Sequence, residues 1–135
     1  DWVESVVKNE KPDVVVLDMG DKFADIRTER TDITLKAAAI HARNIAKQYD
    51  CAVVWMSQLS AEAEGRADLN QAMMEGSKTG KAAEADLMVL IGKTQQAEGE
   101  EEDPIRYLNI AKNKLNGFQG KITCQLDGSR SLYTA

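Results

Sequence analysis

Asp18 closes Val14-Val15-Val16-Leu17, a continuous apolar run rich in β-branched residues. A run without alternation is typical of a parallel strand buried on both faces. A carboxylate at the end of such a strand can orient Mg²⁺, usually through water, and Mg²⁺ neutralises nucleotide phosphates. Many α/β proteins also carry an acidic residue there as a plain strand end. A second run of the same kind, Ala52-Val53-Val54-Trp55-Met56, leads into Ser57-Gln58. In an open parallel sheet, functional groups collect just beyond the carboxyl ends of the strands. Asp18 and Gln58 therefore lie close in space if these two strands are neighbours. An amide at position 58 can hydrogen-bond a γ-phosphate and pull on the loop that follows, so nucleotide state can reach a ligand held by that loop. A turn or capping role is the other reading.

The elements that must hold these groups follow from periodicity. Val3, Val6 and Val7 at helical spacing predict a short amphipathic helix over Trp2 to Asn9, ended by Lys11-Pro12-Asp13. Met19 to Thr31 is polar and mixed and reads as a loop. Leu35, Ala39, Ala42, Ala46 and Tyr49 recur at steps of four and three, which predicts a helix over Asp32 to Tyr49. Leu59 to Ala83 is rich in small, polar and charged residues and reads as one long, partly mobile loop, with a helical turn near Met73. Leu87 to Ile91 reads as a third buried strand. Glu98 to Pro104 holds five carboxylates in seven residues and reads as a solvated turn without chemistry. Arg106 to Lys112, Lys121 to Leu126 and Ser131 to Thr134 read as strands, with turns at Gly117 to Gly120 and at Asp127-Gly128. The order predicts an α/β fold, a mainly parallel sheet that ends in antiparallel strands.

Composition bounds the function. The chain has 135 residues, 43% of them hydrophobic and 29% charged, enough for one compact domain. The formal net charge of −5 argues against nucleic-acid binding by bulk positive charge, so DNA contact would need a local cluster of Lys and Arg. Cys51, Cys124 and the lone His41 do not make a zinc site. No apolar run is long enough to span a bilayer and no leader pattern is seen, so a cytoplasmic protein is expected.

Four short motifs occur in order: Val14-Val15-Val16-Leu17-Asp18; Trp55-Met56-Ser57-Gln58-Leu59-Ser60; Gly76-Ser77-Lys78-Thr79-Gly80-Lys81 with Glu84-Ala85-Asp86-Leu87; and Ala111-Lys112-Asn113-Lys114-Leu115-Asn116-Gly117. The series resembles the C-terminal helicase domain of the DnaB family, especially bacteriophage replicative helicases and primase–helicases, from about Pro12 to the end. The resemblance implies a partial RecA-like P-loop NTPase core over residues 1–135, using ATP and Mg²⁺ and working as a homo-oligomer, a hexameric ring, on single-stranded DNA. It makes Asp18 the Walker B aspartate and metal ligand, and Gln58 the γ-phosphate sensor. Leu59 to Ala83 becomes the DNA-binding loop of the ring's channel, with Arg66, Lys78 and Lys81 as phosphate-backbone contacts and Lys93 as a further one. Lys112 and Lys114 fall where the family carries a Lys-x-Arg pair that reaches into the neighbouring subunit's nucleotide. Lysine supplies charge without the planar bidentate fork of arginine. Either Lys114 serves as a lysine finger, or the arginine comes from elsewhere, with Arg106 and Arg130 as candidates.

A P-loop ATPase also needs Gly-x-x-x-x-Gly-Lys-Ser/Thr. Gly76 to Ala82 does not supply it, because its glycines are four apart, no Ser or Thr follows Lys81 and no buried strand leads in. The resemblance places that loop and the catalytic glutamate upstream, so the sequence reads as a fragment that neither hydrolyses ATP nor binds it tightly alone. Three rivals are a receiver-like domain phosphorylated on Asp18, a recombinase or clock-type ATPase of the same superfamily, and a non-catalytic module. A receiver needs paired upstream acids for which too few residues precede Asp18. His41 sits mid-helix with no nucleophile elbow, which argues against a Ser-His-Asp hydrolase.

Overall fold

The computed structural model describes residues 2–22, 31–74, 80–99 and 102–135. The chain divides into two compact units, Asp1–Gln58 with Met74–Glu84, and Leu59–Met73 with Ala85–Ala135.

In the first unit, α1 (Trp2–Glu10), β1 (Val14–Leu17), α2 (Thr31–Tyr49), β2 (Ala52–Trp55) and the short α3 (Gly80–Glu84) follow one another. Both long helices end on a left-handed residue. Lys11 has φ 49° and its N–H reaches the Val7 carbonyl at 2.9 Å; Asp50 has φ 52°, and the Cys51 N–H reaches the Ala46 carbonyl at 3.1 Å. These bonds close orphan carbonyls at the helix ends, and Pro12 then prevents α1 from continuing. α2 buries Leu35, Ala39, Ala42 and Ile45 together with Val7 of α1 and Leu17 of β1. The Tyr49 hydroxyl donates to Glu4 Oε1 at 3.1 Å and links the two helices.

β1 and β2 are parallel neighbours, Val14 opposite Ala52 through Leu17 opposite Trp55. The strands are covered on one side only. Val14, Val16, Val54 and Met56 are exposed, Val16 by 57%. The expected burial on both faces is therefore absent in the described residues, because the helices of this unit pack against one face.

The second unit carries β3 (Leu87–Gly92), β4 (Ile105–Asn113), β5 (Gly120–Asp127) and β6 (Leu132–Thr134). They form a four-stranded antiparallel sheet in the order β3-β4-β5-β6. A bulge lies between Met88 and Val89. β3 belongs by its pairing to this antiparallel sheet, and its burial alternates: Met88 and Leu90 are buried while Leu87, Val89 and Ile91 are exposed. Side chains of a strand point to alternate faces, so an all-apolar strand in a sheet covered on one side must leave half its residues uncovered.

Leu59 to Ala83 is not one loose loop. Residues 59–73 belong to the second unit and include turns of 3₁₀ helix at Ala61–Ala63 and Gln71–Met73, with Leu69 and Met73 buried. Asn109 of β4, itself 7% exposed, anchors the segment: its Oδ1 accepts the Leu69 N–H at 3.3 Å and its Nδ2 donates to the Ala67 carbonyl at 2.9 Å. Gln71 Nε2 donates to the Ala111 carbonyl at 2.9 Å, and Lys121 pairs with Asp68 at 2.7 Å. Gly92 lies against the Arg66 and Ala67 carbonyls, where a Cβ would collide. Among the described residues, no helix is long and apolar enough to cross a membrane.

Candidate functional site

The parallel register places Asp18 and Gln58 just past the ends of adjacent strands. The pairing continues for one step beyond the ladder: the Met56 N–H bonds to the Leu17 carbonyl at 3.1 Å, and the Gly20 N–H to the Met56 carbonyl at 2.9 Å. The Asp18–Met19 peptide bond is cis. Both Asp18 and Gln58 are exposed, and among the described residues no ion pair engages the Asp18 carboxylate. One open carboxylate at a strand end fits Mg²⁺, which takes one or two protein carboxylates and completes its shell with water and phosphate oxygens. Gln58 offers both an amide donor and an acceptor on the adjacent strand. The fit extends to the metal and the terminal phosphate only, since among the described residues none form a phosphate-cradling loop.

Beneath these two residues lies a network that the sequence does not announce. Asp21 sits in a turn of 3₁₀ helix, Gly20–Lys22, immediately after β1. Its Oδ1 accepts the Trp55 indole N–H at 3.0 Å, and its Oδ2 accepts the Ser57 hydroxyl at 2.6 Å. The Lys81 ammonium, from α3, lies 3.0 Å from each Asp21 oxygen and 2.7 Å from Ser57 Oγ. The Lys81 side chain is 4% exposed and that of Asp21 21%. Gly20 makes the arrangement possible, because a Cβ there would overlap the Trp55 indole. At its other end α3 is tied to α2, where Arg43 donates to the Glu84 carbonyl and pairs with the Glu84 carboxylate at 3.9 Å.

The resemblance makes Lys81 a contact to the DNA backbone, and the structure corrects this. Its ammonium is buried, and a lysine ammonium has three N–H donors, all of which are met by Asp21 and Ser57. Lys78 lies outside the described residues. Arg66 is exposed just after the first 3₁₀ turn of the 59–73 segment, with its backbone beside Gly92. Lys93 follows β3 and is also exposed, with Glu102 at 3.7 Å as a surface partner. The Gln95 N–H bonds to the Gly65 carbonyl at 3.2 Å, so the stretches carrying Arg66 and Lys93 run side by side.

Lys112 lies near the end of β4, and Lys114 stands just beyond it in a turn. The Lys114 N–H bonds to the Asp86 carbonyl at 2.7 Å, and its ammonium lies 3.5 Å from the Asp86 carboxylate, half-exposed. Asn113 Oδ1 accepts the N–H groups of Leu115 and Asn116, and Asn116 Oδ1 that of Phe118, which shapes the turn. Arg106 does not serve as an exposed arginine. It is 8% exposed, with its guanidinium on Glu102 at 2.8 Å and on the backbone of Asp103 and Ile105. It holds the acidic turn before β4. Cys124 is buried beside it, with Sγ 3.5 Å from the Arg106 carbonyl, whereas Cys51 is only half-buried.

No protein-family model and no curated protein sequence matches the chain. Solved structures do. With the ATPase domain of a phage protein the chain superposes at a TM-score of 0.82 and 17% identity, covering 98% of this chain and 50% of that one. With a DnaB-like replicative helicase, in a structure of that helicase and its interactions with primase, the TM-score is 0.79 and the identity 20%, over 98% of this chain and 34% of the other. The fold is therefore that of a RecA-like helicase ATPase domain, and the chain spans about half the length of the first structure and about a third of the second.

Proposed function

We propose that this chain is the Walker B and C-terminal half of the ATPase core of a replicative DNA helicase. It works within a full-length protein that couples ATP hydrolysis to movement on single-stranded DNA and to duplex unwinding. The observation that carries the reading is the parallel pairing of β1 and β2, which brings Asp18 and Gln58 to adjacent strand ends. The likeness in fold to the phage ATPase domain and to a DnaB-like helicase supports it.

In this reading Asp18 holds Mg²⁺ at the end of β1. When bound, the metal neutralises charge on the phosphates of ATP. Gln58 hydrogen-bonds the terminal phosphate and passes its position to Leu59 and the segment that follows. Arg66 and Lys93, with Lys78, contact the DNA backbone; such contacts position the strand without reading its sequence. Lys112 and Lys114 reach from one subunit of a ring toward the nucleotide of the next. A receiver-like signalling domain is not favoured by the fold.

The test is Gln58→Ala in the full-length protein. ATP binding should persist, while stimulation of hydrolysis by single-stranded DNA should be lost. Undiminished stimulation would remove Gln58 from the coupling role.

A further inference from the structure

We infer that Lys81 is a positioning residue of the proposed nucleotide site, its ammonium locking Asp21 to Ser57 and thereby fixing the backbone that carries Asp18 and Gln58. The inference rests on the helicase reading above and adds to it a residue whose type and spacing do not announce such a role.

The geometry is directional. Lys81 donates to both Asp21 oxygens and to Ser57 Oγ, and the Ser57 hydroxyl in turn donates to Asp21 Oδ2. Trp55 adds its indole N–H to Asp21 Oδ1 at 3.0 Å. Asp21 thus gathers donors from the end of β2 and from α3, while itself belonging to the turn after β1. Asp21 lies three residues beyond Asp18, and Ser57 directly precedes Gln58. Any shift of one strand end relative to the other must stretch this network.

Burial makes the network rigid. A buried ammonium is tolerated only when paired and hydrogen-bonded, and removing one partner leaves an uncompensated charge. The Lys81 side chain is 4% exposed, so water cannot replace Asp21 or Ser57. α3 is itself held at its far end by Arg43 on Glu84, so Lys81 projects from a fixed platform. Residues that hold first-contact groups in this way cost roughly 10- to 100-fold in activity when removed.

A pure stability strut would share the burial but not the effect on turnover, and the two separate experimentally. In the full-length protein, Lys81→Met, the double variant Asp21→Asn with Lys81→Met, and Ser57→Ala are compared with wild type for thermal stability, ATP Kd, kcat and the Mg²⁺ concentration at half-maximal rate. Lys81→Met should lower kcat roughly 10- to 100-fold and raise the Mg²⁺ requirement, with little change in ATP Kd. The double variant removes the unpaired charge and should recover stability but not kcat. Ser57→Ala leaves no unpaired charge, folds in any case, and should also lower kcat. The salt dependence of single-stranded DNA binding should be the same in wild type and Lys81→Met.

Turnover that recovers with stability in the double variant, or that is unchanged in Ser57→Ala, would reduce the network to a strut and overturn the inference. A salt slope smaller by about 0.7 in Lys81→Met would instead return Lys81 to the DNA backbone. A wild-type protein without ATP hydrolysis would refute the helicase reading itself, and this inference with it.

Discussion

Replacing Asn109 with leucine tests whether the segment 59–73 is held by the second sheet. Asn109 is 7% exposed, and its amide meets both polar groups that the segment turns inward: the Leu69 N–H at 3.3 Å and the Ala67 carbonyl at 2.9 Å. Leucine is close in volume but satisfies neither. A buried group left without its partner costs about 1–3 kcal/mol. Ala67 is only half-buried, so water can recover part of its share. Burying a leucine where an amide stood offsets roughly 1 kcal/mol more. The net expected loss is about 2 kcal/mol, a factor of about 30 in an equilibrium constant. Gln71 and Lys121 still hold the segment at either side, so it should open locally instead of unfolding the sheet. Urea unfolding should show the loss, and hydrogen exchange at the Leu69 amide should accelerate by about the same factor. A change below about 0.5 kcal/mol with unaltered Leu69 exchange would show that Asn109 does not anchor the segment.

Three other outcomes follow from the structure. Gly20→Ala places a methyl inside the Trp55 indole, so the indole must move off Asp21; unfolding should show a loss of about 1–3 kcal/mol with altered Trp55 fluorescence, and an unchanged spectrum would refute the close packing. Tyr49 has its phenol raised above the usual value of 10.0, by burial first and then by its hydrogen bond to Glu4 and the nearby carboxylate charge. A raised folded value means that the contribution to stability is whole below pH about 10 and is lost as pH rises through the folded value; spectrophotometric titration should find one late-titrating tyrosine that returns toward normal in Glu4→Gln. Lys114→Ala in the full-length protein should lower ATP turnover by roughly 10³-fold or more if Lys114 acts as a finger on the neighbour's nucleotide, and mixing in wild-type subunits should restore part of it; turnover within a few-fold of wild type would dismiss the finger role.

Local pattern makes the first unit legible. The apolar runs at Val14 and Ala52 give two strands, the stripe from Leu35 gives α2, and Asp18 and Gln58 fall at adjacent strand ends as their positions imply. The run Leu87 to Ile91 gives a strand but not its partner, because five apolar residues in a row fit either a parallel strand buried on both faces or an antiparallel one with a bare face. Leu59 to Ala83 reads as a single loop because small and polar residues dominate it. Its order comes from Asn109, forty positions from Leu69, and no local pattern reports such a bond. Lys81 is illegible for the same reason. A lysine among lysines and glycines looks solvated until its acid is found sixty positions earlier. Arg106 likewise looks available until the structure places its guanidinium on Glu102.

The measurement that bears most directly on the central claim is ATP hydrolysis by the full-length protein, with and without single-stranded DNA, in wild type and in Asp18→Asn. The substitution keeps the shape of the side chain and removes the charge that would hold Mg²⁺. Wild type should hydrolyse ATP faster when DNA is added, and Asp18→Asn should lose that turnover while folding normally. DNA-stimulated hydrolysis that survives in Asp18→Asn would contradict the assignment of Asp18, and a wild-type protein that never hydrolyses ATP would contradict the function proposed for the chain.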